Sequence, residues 1–120
     1  MLNMSQKNKH VLITGTVAFD DIETPKGSSG KIIGGSGTYI ALAASIFCKK
    51  ISLISVIGDD FLDKDIEMFQ SKNINTDMIE RISGEKSFYW KGRYHSNFKT
   101  RETLITELNA LEKFNPIVKD

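Results

Sequence analysis

Cysteine is all but missing from this 120-residue chain, Cys48 being the only one. That excludes an internal disulfide and any cysteine-rich metal cluster. Its place at the end of an apolar stretch favours a small buried hydrophobe over a reactive thiol. Histidine is almost as scarce. His10 and His95 lie far apart, with no Cys or Glu pair at ligand spacing, so the sequence carries no metal-site signal. Excess charge is lacking as well: 16 Lys and Arg against 15 Asp and Glu leave a formal net charge of +1. No field of one sign announces nucleic acid or an anionic membrane as a partner. No apolar run approaches the length of a membrane span, and the opening MLNMSQKNKH is too polar for a signal peptide. The default compartment is therefore a reducing cytoplasm. Repeats and low-complexity segments are absent too.

The composition that remains, 40% hydrophobic and 26% charged, is that of one globular domain or less. The most informative stretch is Gly34-Gly35-Ser36-Gly37-Thr38-Tyr39, which runs straight into residues 40–47. Three glycines within four residues let backbone approach something closely or take φ values that side chains forbid. The following TYIALAASIF is a good helix former. Ile40, Ala43, Ala44 and Phe47 fall at the i, i+3, i+4, i+7 spacing of one helical face, which predicts the buried side. A glycine turn opening onto a helix offers free backbone N–H groups at the positive end of a dipole, a place for a polar or anionic ligand. The competing reading is a tight loop before a core helix.

Along the chain, residues 1–9 read as a polar lead-in. HVLIT, residues 10–14, predicts a strand buried on both faces. It finishes in GTVAFDD, which places Asp20 and Asp21 just past a strand end. In open α/β sheets ligands bind there, although Asp is also a common turn cap. ETPKGSSGKII has the composition of a hairpin or flap. Its Gly30-Lys31 pair is no P-loop, since Pro25 stands where that motif needs Gly and Ile32 where it needs Ser or Thr. KISLISVIG predicts a second buried strand over 51–57, and a helix between two buried strands is the logic of a parallel sheet. DDFLDKDIEMFQSKNI predicts an amphipathic helix with Phe61, Leu62, Ile66 and Phe69 on one side and Asp59 or Asp60 as its N-cap. TDMIERISG and KSFYWKGRYHS predict two strands around Ser83-Gly84-Glu85. The second puts Phe88, Trp90, Gly92 and Tyr94 on one face and Tyr89, Lys91, Arg93 and His95 on the other. A short strand near 103–106 and a turn or two of helix over 107–114 follow, before Pro116 interrupts.

In this order, GTVAFDDIETP after the first strand, GGSGTYIALAAS, and VIGDDF after the next strand resemble the start of the phosphofructokinase-B/ribokinase-like carbohydrate kinases. FYWKGRYHSNFKTRETLITELN resembles one bacterial sugar-kinase branch of that family. The resemblance runs from about residue 10 to the end. It implies an α/β fold: a mostly parallel sheet flanked by helices, with a small β-lid from segments 22–33 and 76–95, here truncated. It also implies transfer of the ATP γ-phosphoryl group, with Mg2+, to a hydroxyl of a sugar or nucleoside. By that match Asp20 accepts hydrogen bonds from substrate hydroxyls, and Gly34, Gly35 and Ser36 let the substrate lie against backbone. Tyr39 stands where many members carry a sugar-contacting Asn. Trp90 and Arg93 either shape the pocket or pack the lid. The catalytic Asp of the family lies in a later glycine-rich motif that these residues do not contain. The resemblance thus implies the substrate-and-lid portion of a cytoplasmic kinase, inactive and without bound cofactor as an isolated chain.

Two other functions compete with it. One is a non-catalytic module that binds a polyol or forms a homodimer through the lid, since lid sheets in this family commonly dimerise. The other, a dinucleotide-binding oxidoreductase, fails on spacing: GGSGTY is not G-x-G-x-x-G, and it follows the flap instead of the first strand.

Overall fold

A computed structural model of the chain describes residues 9–118. In chain order it contains β1 (His10–Thr14), β2 (Ala18–Thr24), β3 (Gly27–Gly34), α1 (Ser36–Ala44), β4 (Lys50–Ile57), α2 (Asp63–Gln70), β5 (Ile74–Asn75), β6 (Ile79–Arg81), β7 (Phe88–Tyr94), β8 (Arg101–Glu107) and a 3-10 turn, Asn109–Lys113. These form two sheets. The core sheet pairs β1, β5 and β6 with β4, all in parallel. The second, in the order β3-β2-β7-β8, is the lid. No helix among the described residues is long and apolar enough to cross a membrane.

β4 is the spine of the core. Every residue after Lys50 is buried, as its run of β-branched and apolar side chains requires of a strand covered on both faces. Ile51, Leu53 and Ile57 join Ile13, Ala41 of α1 and Phe69 of α2 in one cluster, so both helices lie on the same side of the sheet. β1 departs from its expected burial. Val11 and Ile13 face that cluster, but His10, Leu12 and Thr14 point to the other side and are exposed, Leu12 at 50%. No α-helix among the described residues covers that side.

The buried face of α1 also differs from the periodicity. Gly37, Thr38 and Ala41 are the residues it buries, whereas Ile40 is exposed, and Ile46 and Phe47 lie in the turn after the helix, also exposed. The cause is close approach. A Cβ on Gly37 would lie 2.8 Å from the carbonyl carbon of Gly15, so the helix docks through its smallest residues and turns its larger ones outward. Cys48 packs half-buried against the core, as its apolar setting suggests.

α2 begins later than its acids imply. Leu62 occupies the N-cap position and donates its N–H to the Asp65 carboxylate at 2.9 Å, while remaining exposed itself. Asp59 and Asp60 do not cap this helix. Asp59 accepts the Gly84 N–H at 2.7 Å and Asp60 the Ser87 N–H at 2.8 Å, tying the end of β4 to the entry of the lid.

The lid boundaries need correcting as well. The hairpin β2–β3 and strand β7 are in it, but residues 76–86 are not. β6 pairs with β4, from Ser55 opposite Ile79 to Ile57 opposite Arg81, and the Arg81 guanidinium holds the Gly58 carbonyl at 2.6 Å. The fourth lid strand is β8, antiparallel to β7.

Candidate functional site

The chain leaves β1 through Gly15 and Thr16, and the glycine turn that starts α1 folds directly onto this bend. Gly35 takes φ +94, and a Cβ there would meet the Thr16 carbonyl oxygen at 2.4 Å. Only glycine suits such a position. Thr16 then caps the helix from twenty residues away. Its carbonyl accepts the N–H of Gly37 at 2.8 Å and of Thr38 at 3.4 Å. Its hydroxyl accepts the Ser36 N–H at 3.0 Å, and its own N–H donates to Ser36 Oγ at 3.3 Å. The expectation of free amides at this helix start is therefore overturned: the groups that would cradle an anion are committed to Thr16.

The turn instead seats a carboxylate. A Cβ on Gly34 would stand 2.0 Å from Asp20 Oδ2, so the missing side chain is the space the carboxyl occupies. β2 and β3 make this meeting possible by pairing Ala18 with Gly34 and Asp20 with Ile32, which puts Asp20 and Gly34 on one face. Burial raises the Asp20 pKa above its ordinary value, and the Gly35 N–H bonded to the carboxylate opposes that rise. One backbone donor satisfies only part of the capacity of a carboxylate, which accepts up to about four hydrogen bonds. What Asp20 offers is a partly desolvated acceptor for hydroxyl donors, just beyond the C-terminal end of a parallel strand.

The lid divides the remaining candidates by face. Trp90 is paired with Asp20 in the β2–β7 register and shares its face. Its indole lies over Gly92, where a Cβ would come within 2.1 Å of Cη2, and its Nε1–H donates to Thr103 Oγ1 at 3.2 Å. Arg93 is on the opposite face, ion-paired with Glu23 and Glu102 at 3.1 Å each. There Lys91 also meets Glu23 at 3.1 Å, and the two cations hold the Glu23 carboxyl below its usual range. On that face too the Tyr89 hydroxyl donates to Asp21 at 3.0 Å. Burial and that carboxylate raise the pKa of the phenol.

Asp20, Gly34 and Gly35 are thus brought together, and Trp90 joins their face. Ser36 is close by, but its hydroxyl serves Thr16. Tyr39 stands half-exposed in the first turn of α1, its N–H making the first helical bond to the Gly35 carbonyl at 3.2 Å. Arg93 does not join them. Thr16 and Thr103 are participants that sequence reasoning missed. Thr16 carried no local signal because the amides it caps are remote in sequence, and Thr103 lies on a strand not recognised as part of the lid.

An apolar hollow of about 260 Å³ lies elsewhere, lined by Met78, Ile79, Phe114 and Pro116 among others. It contains none of these residues, and the convergent polar groups are at Asp20. Among the described residues no group of three or more His, Cys, Asp or Glu is placed to hold a metal ion.

No family model and no curated protein sequence matches the chain. Solved structures do match it. A Methanocaldococcus jannaschii nucleoside kinase, an archaeal member of the ribokinase family, superposes with TM-score 0.76 at 18% identity over 94% of this chain and 42% of its own. A Burkholderia thailandensis nucleoside kinase in complex with inosine gives TM-score 0.75 at 15% identity, over 86% of this chain and 37% of its own. A ribokinase from Cryptococcus neoformans in complex with ADP gives 0.67 at 22%, over 86% and 35%. The fold is ribokinase-like. The chain spans between a third and a half of the length of these structures.

Proposed function

We propose, on the premise of this ribokinase-like fold, that the chain is the substrate-binding N-terminal portion of an ATP-dependent carbohydrate or nucleoside kinase. In the whole enzyme the γ-phosphoryl group passes to a substrate hydroxyl. The observation that carries this reading is Asp20, lodged in the space left by Gly34 and held by the Gly35 N–H. A sugar or ribose lying against that side-chain-poor turn donates its hydroxyls to Asp20. Trp90 walls the same face of the lid, and Tyr39 and Ser36 border the turn. A matched nucleoside kinase that holds inosine and a ribokinase that holds ADP agree with this assignment.

The start of α1 is not a phosphate cradle for the nucleotide, because its amides are taken by Thr16. No step of phosphoryl transfer is assigned to this chain, because that step needs phosphates, metal charge and hydroxyl positioned together. The isolated chain binds substrate without turning it over, in the cytoplasm.

A second reading, a homodimer through the lid, draws support from β8. This edge strand is exposed along all seven of its residues, with Leu104 and Ile105 among them, and an open edge is a template for pairing with another chain. Sedimentation equilibrium tests it: a monomer at all concentrations refutes the dimer. The binding reading is tested by a thermal-shift screen of the chain against ribose, hexoses and inosine, because a ligand that binds the native state raises Tm. A shift that Asp20→Asn abolishes supports it. Either no shift with any polyol, or a shift indifferent to Asp20, refutes it.

A further inference from the structure

The lid sorts its charges by face. On the face of Phe19 and Tyr89 each arginine and lysine of β7 has a carboxylate: Lys91 has Glu23, and Arg93 has Glu23 and Glu102. The Asp20 face carries a cation without one. Arg101 pairs with Tyr94 in the β7–β8 register, which puts it beside Trp90. Its guanidinium carbon lies 5.5 Å from the indole centroid, and its Nη1 donates to the Tyr94 hydroxyl at 3.4 Å. The two acids of its own strand cannot neutralise it. Glu102 lies opposite Arg93 and Glu107 opposite Tyr89, so strand alternation turns both to the other face. Among the described residues no carboxylate forms an ion pair with Arg101.

The ring beneath this arginine has its own partners: Trp90 packs over the backbone of Gly92 and donates its Nε1–H to Thr103. A guanidinium resting on an aromatic ring keeps its planar fork available and is more weakly hydrated than an ammonium, so it grips a carboxylate or phosphate at low entropic cost. Arg101 starts from the Tyr94 row and its side chain reaches back along the strand toward Trp90, so the fork stands on the Asp20 face.

We infer that this face of the lid binds a polyhydroxylated molecule bearing an anionic group, a carboxylate or a phosphate, with its hydroxyls at Asp20 and its anion on the Arg101 fork. The inference rests on the proposed role of Asp20 and narrows the substrate from sugars in general to sugar acids or sugar phosphates.

Trp90 is the one tryptophan of the chain, so its fluorescence reports from the site itself. The chain is titrated with glucose, inosine, gluconate, glucose 6-phosphate and inorganic phosphate. One of the two anionic sugars is expected to saturate at concentrations about ten-fold below glucose, the preferred one telling carboxylate from phosphate. Arg101→Gln removes that advantage and leaves the glucose curve in place, and Arg101→Lys retains part of it. Equal titration by neutral and anionic sugars overturns the inference. So does an unchanged advantage in Arg101→Gln, or inorganic phosphate that binds as well as the anionic sugars. If glucose or inosine binds in an Asp20-dependent way without any Arg101-dependent gain, this inference alone falls. If no polyol binds, the assignment of Asp20 falls with it.

Discussion

Replacing Gly34 by alanine separates the seat of the carboxylate from the stability of the turn. Gly34 does not have the positive φ of its neighbour Gly35, so an alanine backbone is tolerated there. The methyl group, however, would have to stand 2.0 Å from Asp20 Oδ2 and 2.5 Å from its Cγ. The carboxyl must swing out, and it loses the Gly35 N–H. A hydrogen bond to a charged group contributes about 1.5–3 kcal/mol, of which renewed hydration of the freed carboxylate returns a part. A net loss of about 1 kcal/mol, or roughly 4–8 °C in Tm, is expected. The specific signature is electrostatic. Out of its buried seat, Asp20 should titrate closer to its ordinary value, followed through the carboxyl carbon by NMR, and polyol-induced thermal shifts should vanish. A Gly34→Ala protein that keeps both the raised Asp20 pKa and the Gly35 amide shift of the wild type would refute the placement of Asp20.

Gly35→Ala should cost far more, about 3 kcal/mol or above, because its positive φ and the fixed Thr16 carbonyl leave no route for relief; urea unfolding measures it. Asp20→Asn should change the pH dependence of stability. The folded pKa of Asp20 is raised, so its contribution is full below the ordinary value of 3.8 and is lost as pH rises through the folded value. The Tm of the variant relative to wild type should therefore be higher at pH 6 than at pH 3, and a constant difference contradicts the buried setting. On α1, Phe47→Ser should alter stability by less than about 0.5 kcal/mol, whereas Ala41→Leu should cost about 1–3 kcal/mol by overpacking. The reverse order in chemical denaturation would restore the periodicity-based face. Ser55→Ala removes the hydroxyl that donates to the Gly15 carbonyl at 2.6 Å, and about 1–3 kcal/mol should be lost on unfolding.

What could be read from the residues alone followed from how local its cause was. The β4 run is buried on both faces, and seven successive apolar or small residues say so without help from the rest of the chain. The hairpin announced itself through Pro25, Gly27 and Gly30, and Asp20 and the glycine turn stood out as a carboxylate and a bend awaiting one another. The departures all arise from tertiary approach. Periodicity placed Ile40 and Phe47 inward because it assumes that large apolar residues seek the core, but the contact of Gly37 with Gly15 brings the small side of α1 to the sheet. Charge and spacing could not show that Asp59 and Asp60 would reach Gly84 and Ser87 across the chain. Nor could alternation within β7 say which face looks toward Asp20. That depends on the register with β2, which puts Trp90 and not Arg93 on the Asp20 face.

The most direct test follows the Asp20 carboxyl carbon and the Gly35 amide together by NMR while ribose, inosine or an anionic sugar is added to the chain. Both signals should move along one saturable curve, and Asp20→Asn should abolish the response of the Gly35 amide. Shifts confined to residues away from the turn, or no response to any polyol, would contradict it.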